Sequence, residues 1–406
     1  MLFSTKNTKL KGLILFILYL CRLTFNSQKM FKKSTQIIGF SAFILFLSLT
    51  AKAQFAEQYC FPRHAVAPCD SNKLYFSIAN ANFLKDNEYF NNIVEGYTLM
   101  GYWITPTVEY HPSAHSVING GIHLLKFTGR DNFFQTLPVL SFTQQFNPII
   151  SLTFGTLQFN GNHNMPEPLL DPERFYFQQA QNGVQILIDG SRFKSDIWVT
   201  WDHFIWYGDT DQEKISSGTS SELEILKGSQ FSLVLPFQTI ITHHGGQINS
   251  PKVWKPIETL INLGSGFYAD YRNEDGYLKL IRLSPQFFLY KESTSYPYEP
   301  YRSGWAVFPN ILVNAGPFLI KAGWWYTDKF IGPLGEAIYQ SISTPPGYDE
   351  VHRNLLIGKI GYSKKLAKGI IVTGGFEGYY DQHLKQLDYN FSISLHYNEK
   401  FLVASF

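Results

Sequence analysis

Outside its first fifty-odd residues the sequence has no long apolar run, and the longest within them, Ile37 to Leu49, falls short of a bilayer-spanning helix. Such a helix needs about 20 consecutive apolar residues, so a helical membrane protein is excluded. Helical periodicity is absent along the rest of the chain. Charge is scarce as well: Asp, Glu, Lys and Arg make up 16% of the residues, fewer than the 17% that are Phe, Trp or Tyr. A soluble all-β domain would ordinarily carry more charge, whereas aromatic girdles at two membrane interfaces account for the excess. Cysteine is nearly missing, with three residues in 406. Acidic residues are missing altogether from positions 1–53, which hold eight of the 34 Lys and Arg. Without that segment 26 basic residues face 32 acidic ones, a net charge of −6, so the basicity of the whole chain belongs to its leader and nucleic acid is not an expected partner.

What is present begins with an export signal. Lys32 and Lys33 form a positive start, Ile37 to Leu49 an apolar centre, and Ala51-Lys52-Ala53 supplies small residues for a peptidase, so cleavage is expected before Gln54. The expected organisation is a non-native or extended leader over 1–29, a signal peptide over 30–53, a periplasmic segment over 54–72 and a barrel over 73–406. Cys21 leaves with the leader. Cys60 and Cys69, with eight residues between them in an oxidising compartment, read as a disulfide loop, with metal binding by them and His64 as the lesser alternative.

The mature chain is read as all-β. Crossing a bilayer without helices obliges every backbone polar group to pair between strands, and only a closed barrel achieves that. Segments of about ten residues alternate polar and apolar, as in Thr105, Thr107 and Glu109 against Ile104, Val108 and Tyr110. Turn chemistry at Pro112–Ala114, Asn147-Pro148, Asp189–Ser191, Lys227–Ser229, Asn273–Gly276, Asn314–Gly316 and Lys364–Lys368 alternates with longer polar stretches near 85–94, 127–133, 160–182, 208–219, 244–257, 292–304, 328–353 and 381–387. The count is about sixteen antiparallel transmembrane strands, the first near 73–84 and the last near 388–406; fourteen plus an N-terminal plug hairpin is the alternative. The last strand is expected to hold a β-bulge at Asn398-Glu399-Lys400, because its apolar face changes phase from Phe391, Ile393 and Leu395 to Leu402, Ala404 and Phe406.

Leu402, Ala404 and the terminal Phe406 resemble the C-terminal signal that barrel-assembly machinery reads in outer-membrane proteins. In pattern, though in no specific motif, the chain resembles the general bacterial porins. That resemblance implies a water-filled lumen narrowed by the third long loop, here 160–182, which Pro166, Pro168 and Pro172 stiffen. The constriction candidates are Glu167, Asp171 and Glu173 on that loop, Asp196, Asp202, Glu222 and Glu224 on the following strands, and Lys279 and Lys321 beyond, with Arg282 and Lys359 near polar positions. Opposed acidic and basic arcs would align polar solutes; simple hydration of a polar bore explains the same residues equally well. Trp198 and one of Trp324 or Trp325 point inward in this reading.

The expected function is passive diffusion of small hydrophilic solutes. The rival is a non-conducting barrel serving a larger outer-membrane assembly, which a blocked lumen would favour. Expected partners are outer-membrane lipid, the assembly machinery, and further copies or other outer-membrane proteins. No cofactor or metal is expected. About twenty residues before the first strand leave no room for the usual plug of an active importer. An enzyme is not expected either: Asp202 and His203 are neighbours in a strand and point to opposite faces.

Overall fold

The computed structural model describes residues 70–157, 163–177, 180–206, 208–245, 257–294 and 297–406. The expected leader and cleavage site, Cys60 and Cys69 lie outside the described residues. From Lys73 onward the chain is strand after strand, each hydrogen-bonded antiparallel to the next: β1 (Lys73–Glu88), β2 (Tyr97–Ser113), β3 (Ser116–Phe127), β4 (Gln135–Gln145), β5 (Ile150–Thr156), β6 (Asn182–Asp189), β7 (Phe193–His203), β8 (Glu213–Lys227), β9 (Phe231–Gly245), β10 (Glu258–Gly266), β11 (Tyr268–Arg272), β12 (Leu278–Glu292), β13 (Ser303–Ala315), β14 (Phe318–Asp328), β15 (His352–Ala367), β16 (Ile370–Asp381) and β17 (Gln386–Ser405). Both β10 and β11 lie between β9 and β12, so they are two parts of one wall strand. The first and last strands pair along their whole length, from Lys73 opposite Ser405 to Glu88 opposite Tyr389, and the barrel closes with sixteen strands. The fourteen-strand alternative is excluded.

Two populations of connection separate the ends of the barrel. At one end lie short turns. Asn147 Oδ1 accepts the amides of Ile149 and Ile150 at 2.8 and 2.9 Å, an Asx turn. Gly316 and Gly369 take φ of +56° and +67°, which lets two-residue turns follow the right-handed twist of their strands. The other end carries the long connections, and short periplasmic turns with long outer loops are the rule for bacterial barrels. One boundary moves: the 208–219 stretch is loop only to residue 212, because β8 starts at Glu213.

Side chains alternate as a lipid–water boundary demands. Leu140, Phe154, Leu223, Phe237, Leu289, Ile320, Leu356, Phe376 and Ile393 are exposed on the outer wall, while Thr105, Gln185, Gln238, Asn262, Asn310 and Asn390 are buried inside. No described helix is long and apolar enough to cross a membrane; the strands do the crossing. In β17 the phase change falls later than the sequence suggests. The register with β1 shifts at Val403, between the Leu74–Ala404 and Tyr75–Leu402 pairs. Phe401 therefore continues the outer face, and the bulge returns Phe406 to it, where its ring meets Tyr110 at 6.1 Å.

Candidate functional site

Two regions concentrate chemistry: the lumen, and a groove on the outer wall. Two long connections turn inward to fill the lumen. Segment 163–177, which ends in a single helical turn (Arg174–Phe177), and segment 329–351, which holds the 3-10 turn Ala337–Tyr339, bring Met165, Leu169, Leu170, Phe330, Ile331, Ile338 and Tyr339 into one apolar cluster. That cluster includes Trp198, Ile240, Phe288, Phe308, Trp325, Leu355 and Tyr379 of the wall. On the opposite side Phe175 and Tyr176 pack against Phe83, Trp103 and Leu125. Contact with strands around the circumference makes this a plug.

Charge pairs fix it in place. Glu167 lies 3.2 Å from Lys321 and 3.0 Å from Lys359, and accepts the Tyr339 hydroxyl at 2.7 Å. Burial pushes its carboxyl up, but the two ammonium groups outweigh that and hold it near about 2. Lys359 also meets Glu377 at 2.8 Å, and Lys85 meets Glu173 at 2.8 Å with Asn87 and Tyr97 donating to the same carboxylate. Asp171 is pushed up to about 7, first by burial and then by Glu173. Its own amide donates to Leu334 O at 2.7 Å, joining the two segments. His163, at φ +51°, stacks on Trp198 with ring centres 3.9 Å apart and meets Asp196 through Nδ1 at 3.0 Å.

The other named residues are dispersed. Asp202 accepts from Thr200 and Ser216; Glu224 pairs with Lys227 at 3.2 Å; Glu222 sits on β8 opposite Lys194 and Pro236. Lys279 is the extra residue of a bulge beside the periplasmic turn. Arg282 binds Asp270 through Nε at 2.7 Å and Nη2 at 2.8 Å. The basic residues Lys321, Lys359 and Arg282 thus neutralise nearby carboxylates. Trp325 is the inward member of its pair and donates to Tyr339 O at 3.1 Å, so it is covered by the plug.

The groove lies on the lipid side, near the end that carries the long connections, with a volume of about 900 Å³. Ile261, Leu263, Phe287, Leu289 and Trp305 floor it, and Lys291, Ser303, Asp328 and Lys329 give it polar edges. Strand pairing assembles these residues: Leu289 and Lys291 lie opposite Trp305 and Ser303, and Trp305 lies opposite Asp328, which lies opposite His352. A run of rings follows the same line, with Phe287–Trp305, Trp305–Tyr326 and Tyr326–His352 centroids 6.4, 5.7 and 6.3 Å apart. His352 Nδ1 is 3.8 Å from Asp328 Oδ2, an ion-pair separation longer than a hydrogen bond. Lys329 takes φ +54°, a left-handed conformation rare for a side chain of its size, and its carbonyl comes so close to Gly304 that a Cβ there would meet it at 2.0 Å. Sequence reasoning missed Asp328 and His352 because they are 24 positions apart and meet only through strand pairing. The available signal was a His on an outward position at girdle height.

An apolar cleft open to lipid, edged by ammonium groups and by a carboxylate beside an imidazole, is suited to an anionic amphiphile. The model of the family described as lipid A 3'-O-deacylase-type matches residues 66–406. The chain belongs to that family. This overturns the exclusion of an enzyme, because the family is one of enzymes. The opposed directions of Asp202 and His203 disposed of one pair only: His203 in fact approaches Asp211, at 3.9 Å. No curated protein matches the chain in sequence. Among solved structures it is similar to OccAB4 of Acinetobacter baumannii, at 10% identity and TM-score 0.46 over 82% of this chain and 100% of that one. It is also similar to OprD of Pseudomonas aeruginosa, at 8% and 0.46 over 87% and 98%. A Vibrio cholerae OmpT lacking loop L8 gives 10% and 0.47 over 80% and 99%.

Proposed function

We propose that this porin-like barrel is an outer-membrane hydrolase that removes an ester-linked acyl chain from lipid A. The observation that carries the proposal is the lipid-side groove, whose apolar floor suits an acyl chain and whose Lys291 and Lys329 edge suits anionic groups. His352 is the base in this reading and Asp328 orients it, a contact that shortens when substrate binds. His352 takes a proton from water as the water oxygen adds to the acyl carbon. The bond from that carbon to the sugar oxygen then breaks, and the proton passes to the departing oxygen. Lys291 and Lys329 hold the anionic groups of the lipid through this step.

The test is mass spectrometry of lipid A after incubation with the refolded protein in mixed micelles. Loss of one acyl chain is expected, with His352→Ala slower by about 10²–10⁴-fold, the span of general-base contributions. An inactive wild type, or a His352→Ala variant of full activity, would sink the proposal.

Solute diffusion stands as a second reading because the barrel is porin-like. The filled lumen weighs against steady conductance and toward the non-conducting alternative.

A further inference from the structure

Beside the groove, on the lipid side of the same rim, β14 and β15 present a polar surface framed by rings. Tyr326 lies opposite Asn354, each two residues along its strand from the Asp328–His352 pair, so all four side chains share the outer face. The Tyr326 and His352 rings are 15° from parallel with centres 6.3 Å apart. Trp305 of β13 and Trp324 of β14 adjoin Tyr326 at 5.7 and 6.0 Å. Neighbouring strands lie about 4.8 Å apart, so from β13 to β15 this surface is about 10 Å wide.

Asn354 is held in one orientation. Its Oδ1 accepts the Trp324 indole N–H at 2.6 Å and the Gln382 side-chain amide at 2.9 Å. Gln382 is itself tied to the strand, its backbone amide donating to Asn354 O at 2.9 Å. Both partners are donors, so the atom between them is the oxygen, and the NH2 group faces away from them with its two N–H donors. An interface girdle asks only for rings with a polar edge and for basic ends. It gives no reason for a carboxamide on the lipid face to be fixed by an indole and a second carboxamide. A sugar does give one: its hydroxyls accept from fixed N–H donors, and the C–H face of its ring lies against aromatic carbon.

We propose that Tyr326 and Asn354 bind the sugar headgroup of a glycolipid whose acyl chain lies in the groove, and that this contact selects the glycolipid over phospholipids. The inference rests on the groove reading above. Trp305 lines the groove and adjoins Tyr326, so a chain in the groove and a sugar on Tyr326 belong to one molecule. The division of labour is clear from the side chains. Lys291 and Lys329 at the groove's edge meet anionic groups, which phospholipids carry too, whereas Tyr326 and Asn354 are uncharged and meet the ring and its hydroxyls. A glycerol headgroup offers hydroxyls without a ring face, and so takes only part of what this surface provides.

The test is native mass spectrometry of the refolded full-length protein in detergent with equal amounts of lipid A and phosphatidylglycerol, deacylated adducts being counted with intact ones. Wild type is expected to favour lipid A. Tyr326→Leu and Asn354→Ala, which change no charge, should each lower that preference about three- to tenfold, the span of a neutral hydrogen bond. Uptake of phosphatidylglycerol should stay as in wild type. Tyr389→Leu, which removes an outer ring of β17 that stacks on Phe376, should keep the full preference. Heat-modifiable migration on a gel verifies that each variant is a closed barrel, and either of the first two variants suffices if the other fails to fold. A barrel that shows this pattern but leaves lipid A intact keeps the sugar site and sinks the hydrolase reading. A barrel with no preference, with a preference that survives whichever of the two variants folds, or with an equal loss in Tyr389→Leu overturns the sugar site, whether or not lipid A is cleaved.

Discussion

Glu167 Oε2 of the inward-folded 163–177 segment lies 3.0 Å from the Lys359 ammonium of β15, and both groups are shielded from solvent. The two are 192 positions apart in sequence, and their contact ties the plug to the wall. Breaking a buried pair from one side costs at most about 3–5 kcal/mol, and less here for Lys359, which keeps Glu377 at 2.8 Å, so the charge that loses its carboxylate is Lys321. In Glu167→Gln the barrel is therefore expected to stay closed while the plug loosens. Limited proteolysis should cut within 163–177, and planar-bilayer recordings should show openings absent from wild type. A silent variant with wild-type protease resistance would mean that apolar packing alone holds the plug.

The plug should also respond to pH. The Asp171 carboxyl, raised to about 7 from an ordinary value near 4, faces Glu173, Lys85 and Arg174. The folded state then binds the proton that the unfolded state releases, so stability falls as pH rises from about 4 to about 7 and is lowest above that. Glu167 acts in the opposite sense, but its contribution is lost only as pH falls from about 4.5 toward about 2. Cleavage within 163–177 is thus expected to be faster at pH 8 than at pH 5, and Asp171→Asn should flatten the difference. An unchanged pH profile in that variant would assign the effect elsewhere, with Glu336, raised by burial, as the next group to replace.

The groove's two ammonium groups should act on binding more than on chemistry. Lys329 sits at φ +54°, where Asn is tolerated better than most residues, so Lys329→Asn removes the charge while respecting the backbone. A hydrogen bond to a charged group contributes about 1.5–3 kcal/mol. Lys291→Gln and Lys329→Asn are each expected to raise KM for lipid A about tenfold with kcat nearly unchanged, and to matter less for a dephosphorylated substrate. Equal losses of kcat and kcat/KM would instead place the lysine at the reacting carbonyl.

The barrel was legible because a strand between lipid and water must alternate with a period of two, and a closed barrel must return its chain at every turn. Asn147, Gly316 and Gly369 mark such returns by local chemistry that needs no knowledge of the fold. The plug was legible only as a long, proline-stiffened loop carrying Glu167, Asp171 and Glu173. Whether it leaves a pore depends on packing such as Leu169 against the wall, and on partners such as Lys359 that lie far away in sequence. Asp328 and His352 were hidden for the same reason. Each is an unremarkable strand-end residue until the β14–β15 register sets them side by side.

That register logic extends to the chain's last residue. Phe406 lies past the Val403 bulge, its amide donating to Asn72 O at 2.8 Å and its ring against Tyr110, so it finishes the β1–β17 seam from outside. Its side chain is 77% exposed, which leaves little burial to lose within the protein itself. Phe406→Ala should therefore shift the unfolding midpoint of refolded protein in detergent by less than about 1 kcal/mol, in line with surface substitutions. Assembly in cells is a different matter if Leu402, Ala404 and Phe406 form the segment that the insertion machinery recognises. The same variant should then yield several-fold less folded barrel in outer-membrane fractions, read by heat-modifiable migration, with unfolded protein collecting in the periplasm. Comparable losses in detergent and in cells would make the residue a structural seam and nothing more.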